Sequence, residues 1–370
     1  MPGMQRTWRS YNYTLLGCVV VLICFSLAMV YSATLNAPYT QGYFSRHVVN
    51  LIVGAIGMVL LTILDYHAFE AWVLPLYLGT LALLGIVLGI GQISSGAQSW
   101  LNLGIRTFQP SEPAKILIIV ALAAFWSRYE RETGSWRVLI GSLLLVGVPT
   151  ILVFIQPDFG TAMVFTTIWL MMAWVARTRW WQLLILFVAA IPVAWVGWYE
   201  ILQPYQRTRL LIFTDPLKYD PDLREGAWNI IQSLTAIGSG GMFGQGWTRG
   251  ILSQGNYLPV QYSDFIFAVT GEELGFFGAT LMLIFLGALI WQALSVARVA
   301  RDTFGRLIAI GIAGMFLCHT VVHVGMNMSI MPITGIPLPF ISYGGSFTLT
   351  SLAAIGLLQS IALRRERIVF

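Results

Sequence analysis

Charge is what this chain of 370 residues has least of. Asp, Glu, Lys and Arg together make up 10% of it, while 57% is hydrophobic. A soluble globular protein needs roughly 25% charged residues to cover its surface, so most of this surface faces something other than water. Cysteine is scarce too. Cys18, Cys24 and Cys318 lie singly in apolar stretches with no C-x-x-C pair, which excludes a disulfide framework or a thiolate metal site and reads as small buried hydrophobes. There is no H-E-x-x-H, no G-x-S-x-G, and no G-K-[ST] after the glycine-rich stretches, which removes zinc-protease, serine-hydrolase and P-loop readings. No repeat of 20 to 50 residues and no low-complexity tract divides the chain, so residues 1–370 read as one membrane domain. The net charge of +5 follows membrane topology. It forms no nucleic-acid patch, and no nucleic-acid partner is expected.

What is present is a series of apolar runs close to the roughly 20 residues that cross a bilayer. Short alternating segments, the mark of a membrane β-barrel, are missing. The expected fold is an all-α polytopic integral membrane protein with ten spans: 12–33, 47–64, 72–91, 112–127, 138–156, 159–176, 180–199, 264–297, 306–330 and 343–363. The first is too long for a signal-peptide core and should remain as a span. The sixth follows "QPDFG" with almost no loop, so spans five and six form a tight hairpin or one is partly re-entrant. Arg6 and Arg9, Arg128, Arg131 and Arg137, Arg177 and Arg179, Arg298, Arg301 and Arg306, and Arg364, Arg365 and Arg367 all fall on one side of a ten-span chain. The positive-inside rule makes that side cytoplasmic, with both termini on it. The short loops opposite carry only Arg46 and Arg106. Between spans seven and eight, residues 200–263 form one long extracytoplasmic loop. Within it Ala227, Ile230, Ile231, Leu234 and Ile237 recur at helical spacing, which predicts an amphipathic helix along the interface.

Against this background three carboxylates stand out in "YSDFIFAVTGEELGFFG": Asp264, Glu272 and Glu273. A charge at the centre of a lipid-facing helix costs roughly 2.5–3.5 kcal/mol, so Asp264 belongs at a membrane edge or in a wet cavity. Either it acts in chemistry, or Ser263 or Asp264 caps the helix that follows. Glu272 and Glu273 point about 100° apart and read as structural pairing groups. In "FQPSEPAK", Ser111 is a candidate N-cap, and Glu112 and Lys115 share one helix face. They pair with each other, or the lysine binds an anionic head group or holds an Asp ionised. In "QPDFGTA", Asp158 is an Asx-turn residue, the cap of span six, or a site residue. The stretches "GSGGMFGQGW" (238–247) and "ISYGGS" (341–346) are flexible turns or backbone cradles for pyrophosphate. His319 and His323 are an i, i+4 pair without a zinc signature.

Taken together and in order, "SGAQSWLNLGIRTFQPSEPAK", "QPDFGTA", "IGSGGMFGQGW", "LPVQYSDFIFAVTGEELG" and "PLPFISYGGS" resemble the SEDS family (shape, elongation, division and sporulation) over nearly the whole chain. The short tails and "GQGWTRGILSQGNYLP" are closest to its elongation branch. The resemblance implies a peptidoglycan glycosyltransferase that polymerises lipid II on the outer face of the bacterial cytoplasmic membrane. Its implied partners are a class B penicillin-binding protein and other elongation-complex membrane proteins. The family's key Asp falls on Asp264, and its Glu and Lys on Glu112 and Lys115. Where the family often has Glu and His-Thr before that Asp, this chain has Val260 and Tyr262-Ser263.

The implied mechanism has Asp264 as general base on the acceptor hydroxyl. Inversion occurs at the donor MurNAc carbon and undecaprenyl pyrophosphate leaves. Lys115, Arg207 and Arg209 would stabilise that leaving group, with Asp158 and Ser342 in the substrate site. A divalent cation, Mg or Mn, could share this role. The competing readings are a flippase or transporter for a lipid-linked precursor, and a non-catalytic scaffold. A transporter should place its ionisable groups near mid-membrane, whereas the candidates here cluster at the outer edge.

Overall fold

The computed structural model describes residues 10–94, 97–102, 107–202, 204–223 and 226–364. Arg6, Arg9, Arg106, Arg365 and Arg367 lie outside the described residues. The helices are α1 (Tyr13–Leu35), α2 (Tyr43–Ile63), α3 (Ala68–Ala71), α4 (Val73–Ile90), α5 (Ser111–Arg128), α6 (Trp136–Ile155), α7 (Phe159–Val175), α8 (Trp180–Val196), α9 (Pro204–Ile212), α10 (Pro216–Tyr219), α11 (Ala227–Ser239), α12 (Ile251–Gln254), α13 (Ile266–Val299), α14 (Thr303–Asn327) and α15 (Gly345–Leu363). Each apolar segment read from the sequence overlaps one of them. Among the described residues seven helices, counting the stretch Trp180–Glu200 that continues α8, are long and apolar enough to cross a membrane. Val73–Gly89 and Phe159–Val175 are shorter apolar helices.

An apolar solvent forces helices because every backbone N–H and C=O must be satisfied within the segment. Their ends need side chains, and the sequence supplies them. Asn12 accepts from Leu15 N, Asp158 from Thr161 N and Asp302 from Gly305 N. Ser111 does not act this way: α5 starts at it, Pro110 takes the cap position without a side-chain bond, and the buried Ser111 hydroxyl has no hydrogen-bond partner among the described residues. Cys18 and Cys318 are buried as expected, but Cys24 is exposed on the flank of the bundle.

One element departs from the all-α expectation. β1 (Gln92–Ser94), β2 (Ala97–Asn102) and β3 (Thr107–Phe108) form a small antiparallel meander, with Ile93 opposite Gln98 and Leu101 opposite Phe108. These strands are too short to leave a readable alternation in a chain this apolar.

α14 and α15 form the centre: 78% and 89% of their apolar windows are buried. α8 lies at the periphery with 6%. Close approach at the centre rests on small residues, as in membrane bundles generally. A Cβ at Gly356 would stand 2.6 Å from the Met58 carbonyl on α2, and one at Gly311 2.6 Å from Ile119 on α5.

α11 exists where expected, but a different stripe is buried. Ala227, Ile230, Ser233 and Ala236 are buried, the first two against Ile212, Phe213 and Tyr219 and the last in the main core, whereas Leu234 is exposed. The polar member is tolerated because Ser233 Oγ donates to the Asn327 carbonyl at 2.8 Å. At the opposite end of the bundle, His67 bridges Asp65 and Asp302, and Arg364 pairs with Asp65 at 3.2 Å.

α13 is broken inside. Gly275 has φ +67° and ψ −167°, which splits 34 residues into a short upper rod and a long lower one. The glycine-rich stretch docks into this break. Gln245 N and Gly246 N donate to the carbonyls of Glu272 and Glu273, while Phe276 N and Phe277 N donate to those of Gly241 and Met242. The backbones come so near that a Cβ on Gly244 would sit 2.1 Å from the Glu273 carbonyl. These glycines are therefore an ordered clasp that satisfies the groups freed by the break.

Candidate functional site

Asp264 sits two residues before α13, in a turn where Ser263 N and Asp264 N both donate to the Val260 carbonyl. It does not cap the helix: Phe265 holds that position and no side chain bonds there. The capping alternative therefore falls away. Three neighbours fix its backbone. Asn327 Nδ2 donates to the Asp264 carbonyl at 2.9 Å, Ser342 Oγ donates to the Ser263 carbonyl at 2.8 Å, and Tyr343 N donates to the Tyr262 carbonyl at 2.9 Å.

The carboxylate itself has far less. It accepts one hydrogen bond, from Ser263 Oγ at 2.9 Å, and no described Lys or Arg forms an ion pair with it. Gly335, at φ +70°, stands beside it, and a Cβ there would be 3.5 Å from Oδ2. The group keeps some surface access, yet protein atoms surround it on most sides. Burial pushes its pKa up to about 6, against the opposing effect of the Ser263 hydroxyl.

Loop 333–342 passes over Asp264, held by a stripe on α14. His319 Nδ1 bonds to the Pro337 carbonyl and His323 Nδ1 to that of Ile336, both at 2.9 Å. A carbonyl only accepts, so each Nδ1 carries a proton. Asn327 continues the stripe four residues further. This His-x3-His-x3-Asn spacing was the sequence signal that could have located the loop's anchor; reading the histidines only as metal ligands missed it.

Glu112 and Lys115 come together as expected, with Lys115 Nζ 2.8 Å from Glu112 Oε1, and both are buried. The lysine also reaches His319 Nε2 at 3.1 Å and lies over the Phe347 ring. It is fully covered, so it meets no open surface in this arrangement. Asp158 caps α7, accepts from Thr161 N and Oγ1, and receives Gln109 Nε2 at 3.3 Å. Ser342 is buried as a strut: its hydroxyl accepts from Leu338 N and donates to Ser263. Arg207 donates to the carbonyls of Tyr199 and Leu202, at the end of the stretch that continues α8. Arg209 is exposed on α9.

Glu272 and Glu273 are saturated. Glu272 accepts from Leu252 N and Ser253 N at the start of α12. Glu273 accepts from Ser32 Oγ, Thr248 N, Ser253 Oγ and Gln254 Nε2. The sequence also gave no notice of the rings beside Asp264. Tyr43 and Tyr343 are stacked at 4.9 Å with planes 6° apart, and Tyr262 stands edge-on to both. Burial, then the neighbouring Tyr43 and Asp264, push the Tyr262 phenol up to about 12. Among the described residues no group of three His, Cys, Asp or Glu side chains gathers that could hold a metal ion.

Fold and site together define a multi-pass, mostly helical membrane protein that keeps a carboxylate with one hydrogen bond and no described cationic partner at the end of its bundle. Residues 11–367 match the FtsW/RodA/SpoVE family, described as cell cycle proteins, and the chain belongs to that family. It is 35% identical to the peptidoglycan glycosyltransferase MrdB of Escherichia coli (strain K12), with 99% of this chain and 97% of the relative covered. It is 33% identical to the peptidoglycan glycosyltransferase RodA of Treponema pallidum (strain Nichols), with 96% and 98% covered. Among solved structures it is similar to a chain of a peptidoglycan synthase complex described as coordinating polymerization and crosslinking (TM-score 0.81, 30% identity, 97% and 99% covered). It is also similar to the rod shape determining protein RodA of Thermus thermophilus (TM-score 0.71, 26% identity, 97% and 99% covered). These names do not favour the transporter alternative.

Proposed function

We propose that this chain is a peptidoglycan glycosyltransferase that polymerises lipid II during cell elongation, with Asp264 as its general base. The observation that carries the base assignment is the state of Asp264: one hydrogen bond, no cationic partner, and a pKa of about 6. Such a group is mostly ionised near neutral pH yet retains appetite for a proton, which suits a base.

Asp264 takes the proton from the acceptor GlcNAc 4-hydroxyl, and that oxygen attacks the anomeric carbon of the donor MurNAc. The bond to pyrophosphate breaks on the opposite face, so α becomes β and undecaprenyl pyrophosphate departs. Arg209 and Arg207, on the outer loop, would balance the developing phosphate charge. Lys115 and Glu112 act from within: through His319 they brace the loop that passes over Asp264. Asp158, through Gln109, and Ser342, through Ser263, shape the substrate site in the same indirect way. A divalent cation, Mg or Mn, would supply further charge to the leaving group, but among the described residues no cluster of His, Cys, Asp or Glu side chains fits it.

The chain is one domain, residues 1–370, crossing the bacterial inner membrane ten times with both termini cytoplasmic. Residues 200–263 form the outer loop, and α11 lies near the interface with its exposed Trp228 and Leu234 toward lipid. The arginine distribution supports this orientation, and it puts Asp264 where the head group of lipid II is. A class B penicillin-binding protein is the expected partner, supported by the likeness to a chain of a peptidoglycan synthase complex. The test is purified protein with lipid II and products resolved by glycan length. Glycan strands from the wild type and none from well-folded Asp264→Asn support the reading; near-normal polymerisation by that variant overturns the base.

A further inference from the structure

We propose that Tyr43, Tyr262 and Tyr343, with Arg46 at their rim, form the platform that holds an acceptor sugar ring beside Asp264. The inference rests on the glycosyltransferase reading and adds a ligand contact to it.

The three rings come from distant parts of the chain: the first turn of α2, the turn before α13, and the turn before α15. They meet because the Tyr343 N–H bonds the Tyr262 carbonyl and Ser342 ties down Ser263. The same two bonds therefore fix both the rings and the carboxylate next to them. Two rings lie parallel, and the third stands at 89° and 83° to them, which makes a corner. All three are partly exposed, and the Arg46 guanidinium lies 5.9 Å from the Tyr43 ring centre on an exposed side chain.

A hydrophobic tail would be served as well by Leu or Phe. Three phenols and a guanidinium at the membrane edge instead suit a ligand with both C–H faces and hydroxyls. A pyranose whose substituents are equatorial is such a ligand: its axial C–H groups meet the negative face of an aromatic ring, and its hydroxyls meet phenol and guanidinium donors.

The test uses the purified full-length chain and two readouts. The first is polymerisation kinetics with lipid II; the second is saturation-transfer NMR with a soluble GlcNAc–MurNAc oligosaccharide lacking lipid and pyrophosphate. Tyr262→Leu should raise KM roughly 3- to 10-fold, with kcat within about twofold, whereas Tyr262→Phe, which keeps the ring and loses only the hydroxyl, should raise KM by a clearly smaller factor. Oligosaccharide signals should appear in the wild type and in Asp264→Asn and vanish in Tyr262→Leu. Unchanged KM and unchanged signals in Tyr262→Leu overturn the platform, as does a polymerising wild type that gives no oligosaccharide signal. A wild type that binds the oligosaccharide through Tyr262 but never polymerises lipid II leaves the platform standing and removes the glycosyltransferase reading. Loss of both readouts in Tyr262→Phe as well would assign the rings to packing and overturn the proposal.

Discussion

Asp264 and the pair Glu272–Glu273 lie within ten residues of one another, and their surroundings are opposite. Glu273 accepts from four donor groups and Glu272 from two backbone N–H groups. Asp264 accepts from one hydroxyl. A buried carboxylate surrounded by donors is finished: its charge is neutralised by dipoles, and it holds loop to helix. A half-buried carboxylate with one donor and no cation beside it is a cost to the fold and marks a candidate for chemistry. Number of donors, rather than position in the sequence, separates Glu272 and Glu273 from Asp264; Glu112, with one oxygen unpartnered, differs from Asp264 in having the Lys115 cation at 2.8 Å.

The largest expected effect breaks this comparison at its reactive side. Asp264→Asn keeps size and most local bonding and should lower polymerisation by about 10²–10⁴-fold, the usual worth of general-base assistance. Its thermal stability at neutral pH should equal or exceed wild type. The folded pKa of about 6 lies above the ordinary carboxylate value, so the native state binds more protons between the two and stability falls as pH rises through that window. Above it the charge only burdens the fold, and Asn removes it. A marked drop in melting temperature would return Asp264 to a structural role.

The next effect sharpens the other side. Glu273→Gln turns one of two accepting oxygens into an NH₂ group that faces donors, and leaving buried partners unmet costs about 1–3 kcal/mol each. Thermal unfolding should come clearly earlier, while activity per folded molecule falls less than in Asp264→Asn. Glu272→Gln should act in the same direction more weakly, since it meets two donors. If either lost all activity at unchanged stability, the division between structural and reactive acids would fail.

A smaller effect concerns pH. Polymerisation should rise as pH climbs through about 6, where Asp264 loses its proton. Ser263→Ala deletes the one bond that favours the charged form, so the acid limb should move to higher pH without loss of the plateau. A limb that stays in place would detach the profile from Asp264.

The smallest effect lies at the far end of the bundle. Burial works against a charge on His67, but hydrogen bonds to Asp65 and Asp302 outweigh it and raise its pKa. That contribution is complete below the ordinary imidazole value and is lost as pH rises through the raised one. His67→Ala should therefore cost a little stability near pH 6 and almost none near pH 9 in a melting series.

The helices were legible because an apolar run near bilayer length has few alternatives. The position of Asp264 was legible because a charge beside such a run is conspicuous. The break at Gly275 was half legible: the apolar run visibly starts near Leu274, but a helix pattern in the sequence does not reveal which glycine adopts positive φ. The clasp formed by 238–247 was hidden, because its bonds are all backbone and composition says only "glycine". The meander over 92–108 was hidden by its short strands. The covered position of Lys115 could not be read either: pairing with Glu112 followed from spacing, but His319 and Phe347 reach it from α14 and α15, and contacts between distant helices leave no local pattern.

The broken α13 also bears on how the site experiences its membrane. A continuous rod of 34 residues would carry any tilt of its lipid-embedded part straight to its outer end, and tilt is how helices answer a bilayer that is too thin or too thick. Here the ladder of hydrogen bonds changes partner at Gly275, and the upper rod is pinned to the clasp and to α12 through Glu272 and Glu273. A lean of the lower rod, which packs in the core through Met282, Leu286 and Leu289, therefore need not pass unbroken to the upper rod. Geometry around Asp264 is thereby insulated from lipid composition, a property to look for by comparing polymerisation rates in short-chain and long-chain phospholipids.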